Sequence, residues 1–250
     1  MEKDLFSQAT ADLRKAIIIG ASSGIGKELA MILISKGYKV GITGRREELL
    51  KAMQETNPSM ISYRSFDITD LSKTTRSIES LIKELGGLDL LVVSAGVGFI
   101  TEDLDIGPQL ETIATNVTAF TDIMSFGFIY FRKKKTGHLV GLTSIAALRG
   151  NKSAPSYNAS KAYQVNYLEG LRQKARDLQL PIAVTDIRPG FVRTDMAKSD
   201  NLFWVASPEK AAGQIYKAIR KKKRVAYVTR RWWIYALLVR LAPRWMYERF

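Results

Sequence analysis

The 250-residue chain has no cysteine and a single histidine, His138. The first absence excludes disulfides, thiolate nucleophiles and thiolate-bound metals, and the second removes the histidine sets on which many metal sites depend. No metal site is expected, so chemistry must come from oxygen and nitrogen groups or from a bound cofactor. Long apolar runs are also missing. The opening "MEKDLFSQATADLRK" is polar and mixed in charge, without the apolar centre of a secretory signal, and a cytoplasmic location is the expectation. Near the other end, "WWIYALLV" offers about eight apolar residues where a membrane span needs ~20.

Acidic residues are scarce in one region. The chain carries 38 Lys and Arg against 24 Asp and Glu, a net charge of +14. From Lys217 to Phe250 there are 11 basic residues and one Glu, a net of +10, which leaves +4 for the rest. The basic excess therefore belongs to the tail, whereas a nucleic-acid-binding protein spreads it along a binding face, and no nucleic-acid partner is expected.

What is present is an alternation of short strand-like runs and longer helical patterns. The strand-like runs are Ala16 to Ile19, Val40 to Thr43, Ile61 to Phe66, Leu88 to Val93, His138 to Thr143, Ile182 to Ile187 and Val225 to Thr229. Between them the helical patterns cover Gly24 to Lys36, Arg46 to Glu55, Leu71 to Leu85, Pro108 to Phe131, Tyr157 to Gln179 and Pro208 to Arg220. This spacing predicts βαβ units and a single α/β domain: a doubly wound parallel sheet of about seven strands with helices on both faces. Its ligand crevice should lie at the carboxyl ends of the strands. The division expected is an N-terminal extension at 1–13, a catalytic domain at 14–230 and a basic aromatic segment at 231–250.

"GASSGIG", Gly20 to Gly26, falls on the turn from the first strand into the first helix. Glycines there let backbone N–H groups and the positive end of the helix dipole approach a diphosphate. A ligand-free tight turn explains such a stretch equally well when it is taken alone.

The G-x-x-x-G-x-G spacing of Gly20, Gly24 and Gly26 does not stand alone. With "SAG" at Ser94 to Gly96, Asn116, Ser144, "YNASK" at Tyr157 to Lys161 and "RPGFVRTDM" at Arg188 to Met196, it resembles the short-chain dehydrogenase/reductase family over about residues 14 to 230. The resemblance implies a Rossmann-type domain, NAD(P)(H) as cofactor and reversible reduction of a carbonyl or oxidation of an alcohol. It implies Tyr157 as acid/base, Lys161 as the residue that tunes it and binds the nicotinamide ribose, Ser144 as the hydrogen-bond partner of the substrate oxygen, and Asn116 as part of a proton relay. For the cofactor it points to Gly20, Ser22, Ser23, Gly24, Ile25, Gly26, Ala95 and Gly96, with Asp67 and Ile68 at the adenine. Tyr157 and Lys161 serve the cofactor as well, and Pro189, Gly190, Val192 and Thr194 lie at the nicotinamide.

Elementary chemistry is consistent with these roles. Tyr157 and Lys161 are four apart on a predicted helix, so they leave the same face one turn apart. A phenol of unperturbed pKa ~10 is a poor proton carrier at neutral pH, and a neighbouring ammonium favours phenolate. Tyr130 and Lys134 repeat the spacing, but Val117 stands where the matching serine would be. At the end of the second strand, Gly44 replaces the Asp with which NAD-preferring relatives bond the ribose 2′-hydroxyl. Arg45 and Arg46 follow it and favour NADP(H), Arg45 being the preferred phosphate partner.

The family usually has Thr at Ile19 and Asn at Ser94, polar residues that tie the first and fourth strands together. Altered local support for the cofactor pocket is expected, without loss of binding. Phe203, Trp204 and Val205 either line an apolar substrate pocket or pack against the C-terminal segment. That segment has three readings: an interfacial membrane contact, an oligomer interface, or a cover over the substrate site. A small-molecule carbonyl or alcohol and a second copy of the chain are the expected partners. From a different class, the alternative to an enzyme is a nucleotide-sensing or membrane- or partner-binding scaffold of the same fold. His138 is read as structural.

Overall fold

Ala16, Ile17, Ile18 and Ile19 are all completely buried, the outcome of an aliphatic strand covered by helices on both sides. The strand they form, β1 (Lys15–Ile19), is central to a computed structural model that describes residues 13–101, 103–193 and 203–247, with position 244 described by its backbone alone. Six more strands follow: β2 (Lys39–Gly44), β3 (Ile61–Ser65), β4 (Leu90–Val93), β5 (Gly137–Leu142), β6 (Ile182–Pro189) and β7 (Val225–Val228). They pair in the order β3-β2-β1-β4-β5-β6-β7, and every pairing is parallel. The order reverses between β1 and β4, and a crevice opens beyond the carboxyl ends of the strands at such a switch point.

Nine α-helices join these strands or follow them among the described residues: α1 (Gly24–Ser35), α2 (Glu47–Thr56), α3 (Leu71–Leu85), α4 (Ile106–Ile113), α5 (Phe120–Lys134), α6 (Pro155–Asp177), α7 (Pro208–Arg220), α8 (Trp232–Leu241) and α9 (Arg244–Tyr247). Their ends follow local chemistry. Asp70 accepts the Lys73 N–H at the start of α3, and Gly86 closes that helix with φ +76°. Ser207 accepts the Lys210 N–H at the start of α7, where Pro208 takes the first helical position.

The sheet separates two apolar layers. Leu29, Leu33, Ile215 and Ile219 of α1 and α7 pack with Ile18, Val40 and Val140. Ile78, Leu81, Phe120, Ile123, Met124 and Leu168 of α3, α5 and α6 pack with Ile17, Ile19 and Leu91. The predicted helix at 108–131 is longer and less regular than its apolar pattern suggests. It begins at Ile106, ends at Lys134 and contains one wide π-helical stretch, Ala114–Ala119, between α4 and α5. Such stretches frequently occur at functional sites, and this one contains Asn116.

Candidate active site

The turn after β1 is shaped by close approach. Gly20 has φ +86°, and a Cβ there would lie 2.6 Å from the Ala95 nitrogen, so only glycine lets the ends of β1 and β4 come together. The Gly20 and Ala21 N–H groups donate to the Thr43 carbonyl at 3.1 and 2.8 Å. At the next residues α1 begins with Ser23 making no side-chain capping bond and with no acidic residue in its first turn. That leaves the helix start suited to an anionic ligand such as a diphosphate. At Ile19 and Ser94 the backbone ties the strand ends together. The Ile19 carbonyl accepts from Ser94 N at 2.8 Å and Ala95 N at 2.9 Å, while the Ile19 side chain sits in the core.

The two arginines beyond Gly44 diverge. Arg46 reaches back to the glycine-rich turn, its Nη2 donating to Ser22 Oγ at 3.0 Å and to Ser23 Oγ at 2.5 Å. Arg45 instead lies toward Asp67, with Nη1 3.8 Å from Oδ2, both side chains being exposed. Asp67 also accepts from the Thr69 N–H and hydroxyl, at 2.9 and 2.8 Å, and Ile68 beside it is buried. No carboxylate stands at position 44, and its Cβ site would lie 3.2 Å from Ser22 Cβ.

Ser144, Tyr157, Lys161 and Asn116 come together from β5, α6 and the π-helical stretch. Ser144 leaves the end of β5 in extended conformation, and its Oγ accepts the Ala146 N–H at 3.0 Å, opening a short 3₁₀ turn at Ile145–Leu148. The same hydroxyl hydrogen-bonds the Tyr157 hydroxyl. One turn along α6, the buried Lys161 ammonium lies 5.8 Å from the centre of the Tyr157 ring. It donates to the Leu142 carbonyl at 3.2 Å and to Gln164 Oε1 at 3.0 Å.

Asn116 is completely buried and its side chain is fully engaged. Its Oδ1 accepts from Val97 N at 2.9 Å, and its Nδ2 donates to Val97 O at 2.7 Å and Ser160 Oγ at 3.0 Å. The main-chain carbonyl of Asn116 accepts from Gln164 Nε2 at 2.8 Å. One amide side chain thus bridges Lys161 and Asn116.

Burial pushes the Lys161 ammonium down to about 8, with the negative charge of Asp186 opposing it. It also pushes the Tyr157 phenol above its ordinary value, against the effect of the Ser144 hydrogen bond. The expected depression of the phenol by the lysine is therefore not seen: desolvation prevails over a cation committed to the Leu142 carbonyl and Gln164.

Behind the site, Asp186 and Arg188 form a buried pair on β6. Arg188 Nε donates to Asp186 Oδ2 at 2.7 Å and Nη1 to the Tyr227 hydroxyl at 3.2 Å, and the Thr143 hydroxyl donates to Asp186 Oδ1 at 2.6 Å. Thr143 thus faces away from Ser144, as strand alternation requires. His138 is structural here as well. The Thr185 hydroxyl donates to Lys223 O at 2.6 Å, so its oxygen accepts from His138 Nε2 at 2.8 Å, and Nε2 carries the proton.

Pro189 ends β6, and Gly190 N donates to Val228 O at 2.6 Å. Val192 is buried and bridges to Ala206; Thr194 lies outside the described residues. Against Gly190 lies the completely buried Trp232, enclosed edge-to-face by Phe191, Trp204 and Tyr235 at 5.3–5.4 Å and by a tilted Phe203 at 5.2 Å. Phe203 and Trp204 thus pack against the C-terminal segment. Asn158 Nδ2 holds the turn after Ser144 through the Ala146 and Arg149 carbonyls at 3.0 and 2.8 Å. Arg149 in turn donates to the Val239 and Ala242 carbonyls at the end of α8, at 3.3 and 2.5 Å. The inner face of α8 therefore covers the loop that carries Ser144.

Gln164, Arg149 and Trp232 are the contributors that sequence reasoning did not assign. Gln164 was within reach of it, since it lies three residues after Lys161 on the same helix face. The partners of the other two lie far away in sequence, and nothing local marks them.

The short chain dehydrogenase family model matches residues 14–203. An uncharacterised oxidoreductase of Myxococcus xanthus is 35% identical over 198 residues, 77% of this chain and 78% of that relative. The 3-oxoacyl-(acyl-carrier-protein) reductase FabG of Chlamydia muridarum is 32% identical over 200 residues, 76% of this chain and 79% of its own length. Among solved structures, a short-chain dehydrogenase from Streptomyces avermitilis superposes with a TM-score of 0.78 at 20% identity, covering 91% of each chain. ElxO with NADP bound superposes with a TM-score of 0.75 at 22% identity, covering 86% of this chain and 97% of its own. Both share its fold.

Proposed function

The chain belongs to the short-chain dehydrogenase/reductase family of oxidoreductases, and on that premise we propose that it transfers hydride between NADP(H) and an apolar carbonyl or alcohol compound. The observation that carries the reading is the convergence of Ser144, Tyr157 and Lys161 at the strand ends, beside a helix start suited to a diphosphate. The bound dinucleotide supplies the hydride. In the reducing direction Tyr157 gives its hydroxyl proton to the substrate oxygen while the Ser144 hydroxyl donates a hydrogen bond to it, stabilising the charge that develops. The raised pKa of Tyr157 keeps that proton in place until an anionic oxygen appears. The Leu142 carbonyl and Gln164, itself bonded to the Asn116 carbonyl, fix the Lys161 ammonium beside the phenol; in the oxidising direction Tyr157 takes the proton back.

The NADP(H) preference is supported by Arg46 on Ser22 and Ser23 and by the absence of a carboxylate at Gly44. This favours Arg46 over Arg45 as the 2′-phosphate partner, the reverse of the order read from sequence. Exposed Ile106, Leu110, Ile113 and Ile129 on α4 and α5 support self-association through that face. The unit at 14–230 is the catalytic domain in this reading, with the segment from 231 completing the wall around Gly190.

Calorimetric titration of NADPH and NADH into wild type, Arg45→Ala and Arg46→Ala tests the cofactor. Tighter NADPH binding that drops on the order of tenfold or more in Arg46→Ala, through loss of a charge-assisted contact, is expected. Equal binding of the two nucleotides by all three proteins refutes the preference. Turnover of apolar carbonyl compounds with NADPH should be abolished in Tyr157→Phe while NADPH binding persists; turnover equal to wild type refutes the acid/base role.

A further inference from the structure

α8 has two apolar faces where a surface helix ordinarily has one. Trp232 and Ala236 on its inner face are buried against the domain. On the outer face Trp233, Ile234, Leu237, Leu238 and Leu241 are 44–72% exposed, and Trp245 of α9 extends the patch at 63%. Arg230, Arg231 and Arg240 stand exposed at its borders, with the Arg231 guanidinium 5.2 Å from the Trp204 ring. From position 210 to position 247 the sequence has no Asp or Glu.

We propose that the outer face of α8 and α9 docks on the surface of an anionic lipid bilayer. Charge selects this occupant. Apposing the patch with its own copy would bring Arg230, Arg231 and Arg240 against the same residues, with no acidic side chain from 210 to 247 to answer them, between two chains of net charge +14. A nucleic-acid surface would answer the arginines and leave six large aliphatic and indole groups in water. Anionic headgroups over an acyl boundary satisfy both, taking guanidinium groups at the phosphate level and Trp and Leu just below it. Among the described residues no helix is long and apolar enough to cross a membrane, so α8 would lie in the plane of the interface. The docking is independent of the catalytic reading: it needs the tail's outer face and none of Ser144, Tyr157 or Lys161.

The test is co-sedimentation of the full chain with vesicles of phosphatidylcholine alone and of phosphatidylcholine with phosphatidylglycerol in equal parts. Binding to the anionic vesicles, weakened by salt, is expected, with little binding to the neutral ones. Arg230→Ala/Arg240→Ala should reduce the partition coefficient on the order of 30-fold, since each basic residue near the surface contributes about fivefold. Trp233→Ser/Leu238→Ser should abolish binding, and an unchanged Tm would show that Trp232 and the fold are intact. No sedimentation of wild type, or equal sedimentation of all three proteins, overturns the proposal. So does a light-scattering mass that halves in Trp233→Ser/Leu238→Ser without vesicle binding by wild type, because the patch would then belong to a second copy.

Discussion

The indole of Trp232 lies over Gly190 so closely that a Cβ at Gly190 would fall 2.0 Å from Cε2 and Nε1 of the ring. The carboxyl end of β6 and the first residue of α8 therefore share one space, and neither can be altered alone. Gly190→Ala should displace the indole and destabilise the fold by about 3 kcal/mol. Trp232→Ala should cost about 3–5 kcal/mol. Trp232→Phe should cost clearly less, since Nε1 has no hydrogen-bond partner to lose. Urea denaturation with tryptophan fluorescence would rank the three.

Gln164 sets the state of Lys161 in the proposed chemistry. Gln164→Leu removes an acceptor from an ammonium already held at about 8 by burial, so its pKa should fall further. If the ammonium is the active form, the alkaline limb of the NADPH-dependent rate moves to lower pH, on the order of one unit. Gln164→Glu places a carboxylate there and moves it up. A pH–rate profile with the limb unmoved in both variants would give Gln164 a packing role alone.

His138 makes the fold sensitive to acid. Burial, reinforced by Lys222, lowers its pKa from 6.5 to about 4. Between those values the unfolded chain binds a proton that the folded chain does not, so stability rises with pH across that window and is lost as pH falls through it. From pH 7 to pH 5 this group should remove about 2 kcal/mol from the wild type. His138→Gln keeps a donor for Thr185 and should show a correspondingly smaller loss in urea titrations at the two pH values.

Asp186 and Arg188 are both buried, so removing one charge strands the other. Asp186→Asn should cost about 3–5 kcal/mol, and Asp186→Asn/Arg188→Met should recover much of it. Equal stability of the single and double variants, measured by chemical denaturation, would mean that the pair is not coupled.

The strands and the Tyr157–Lys161 pair were legible because their information is local: aliphatic runs bounded by turns, and two residues one helical turn apart. Arg45 and Arg46 show where that ends. They are adjacent in sequence, yet the turn sends one toward Asp67 and the other onto Ser22 and Ser23, a distinction that depends on backbone direction. The tail was ambiguous for a related reason. Apolar residues surround α8, and only the position of Gly190 and Arg149, far away in the chain, decides which of them turn inward. The direction read for the Tyr157 pKa was reversed by desolvation, because spacing places a lysine near the phenol without giving the depth of burial.

The π-helical stretch at Ala114–Ala119 has a consequence for length. An inserted residue turns everything after it by about 100° relative to an unbroken α-helix. Upstream of this phase shift, Thr112 is buried; downstream, Phe120, Ile123 and Met124 enter the core beneath the sheet. Deleting any one residue of the stretch would bring the two segments back into phase and rotate those three side chains out of the core. It would also remove the Asn116 carbonyl from Gln164. The number of residues between Ile113 and Phe120 is thus specified as strictly as their identity.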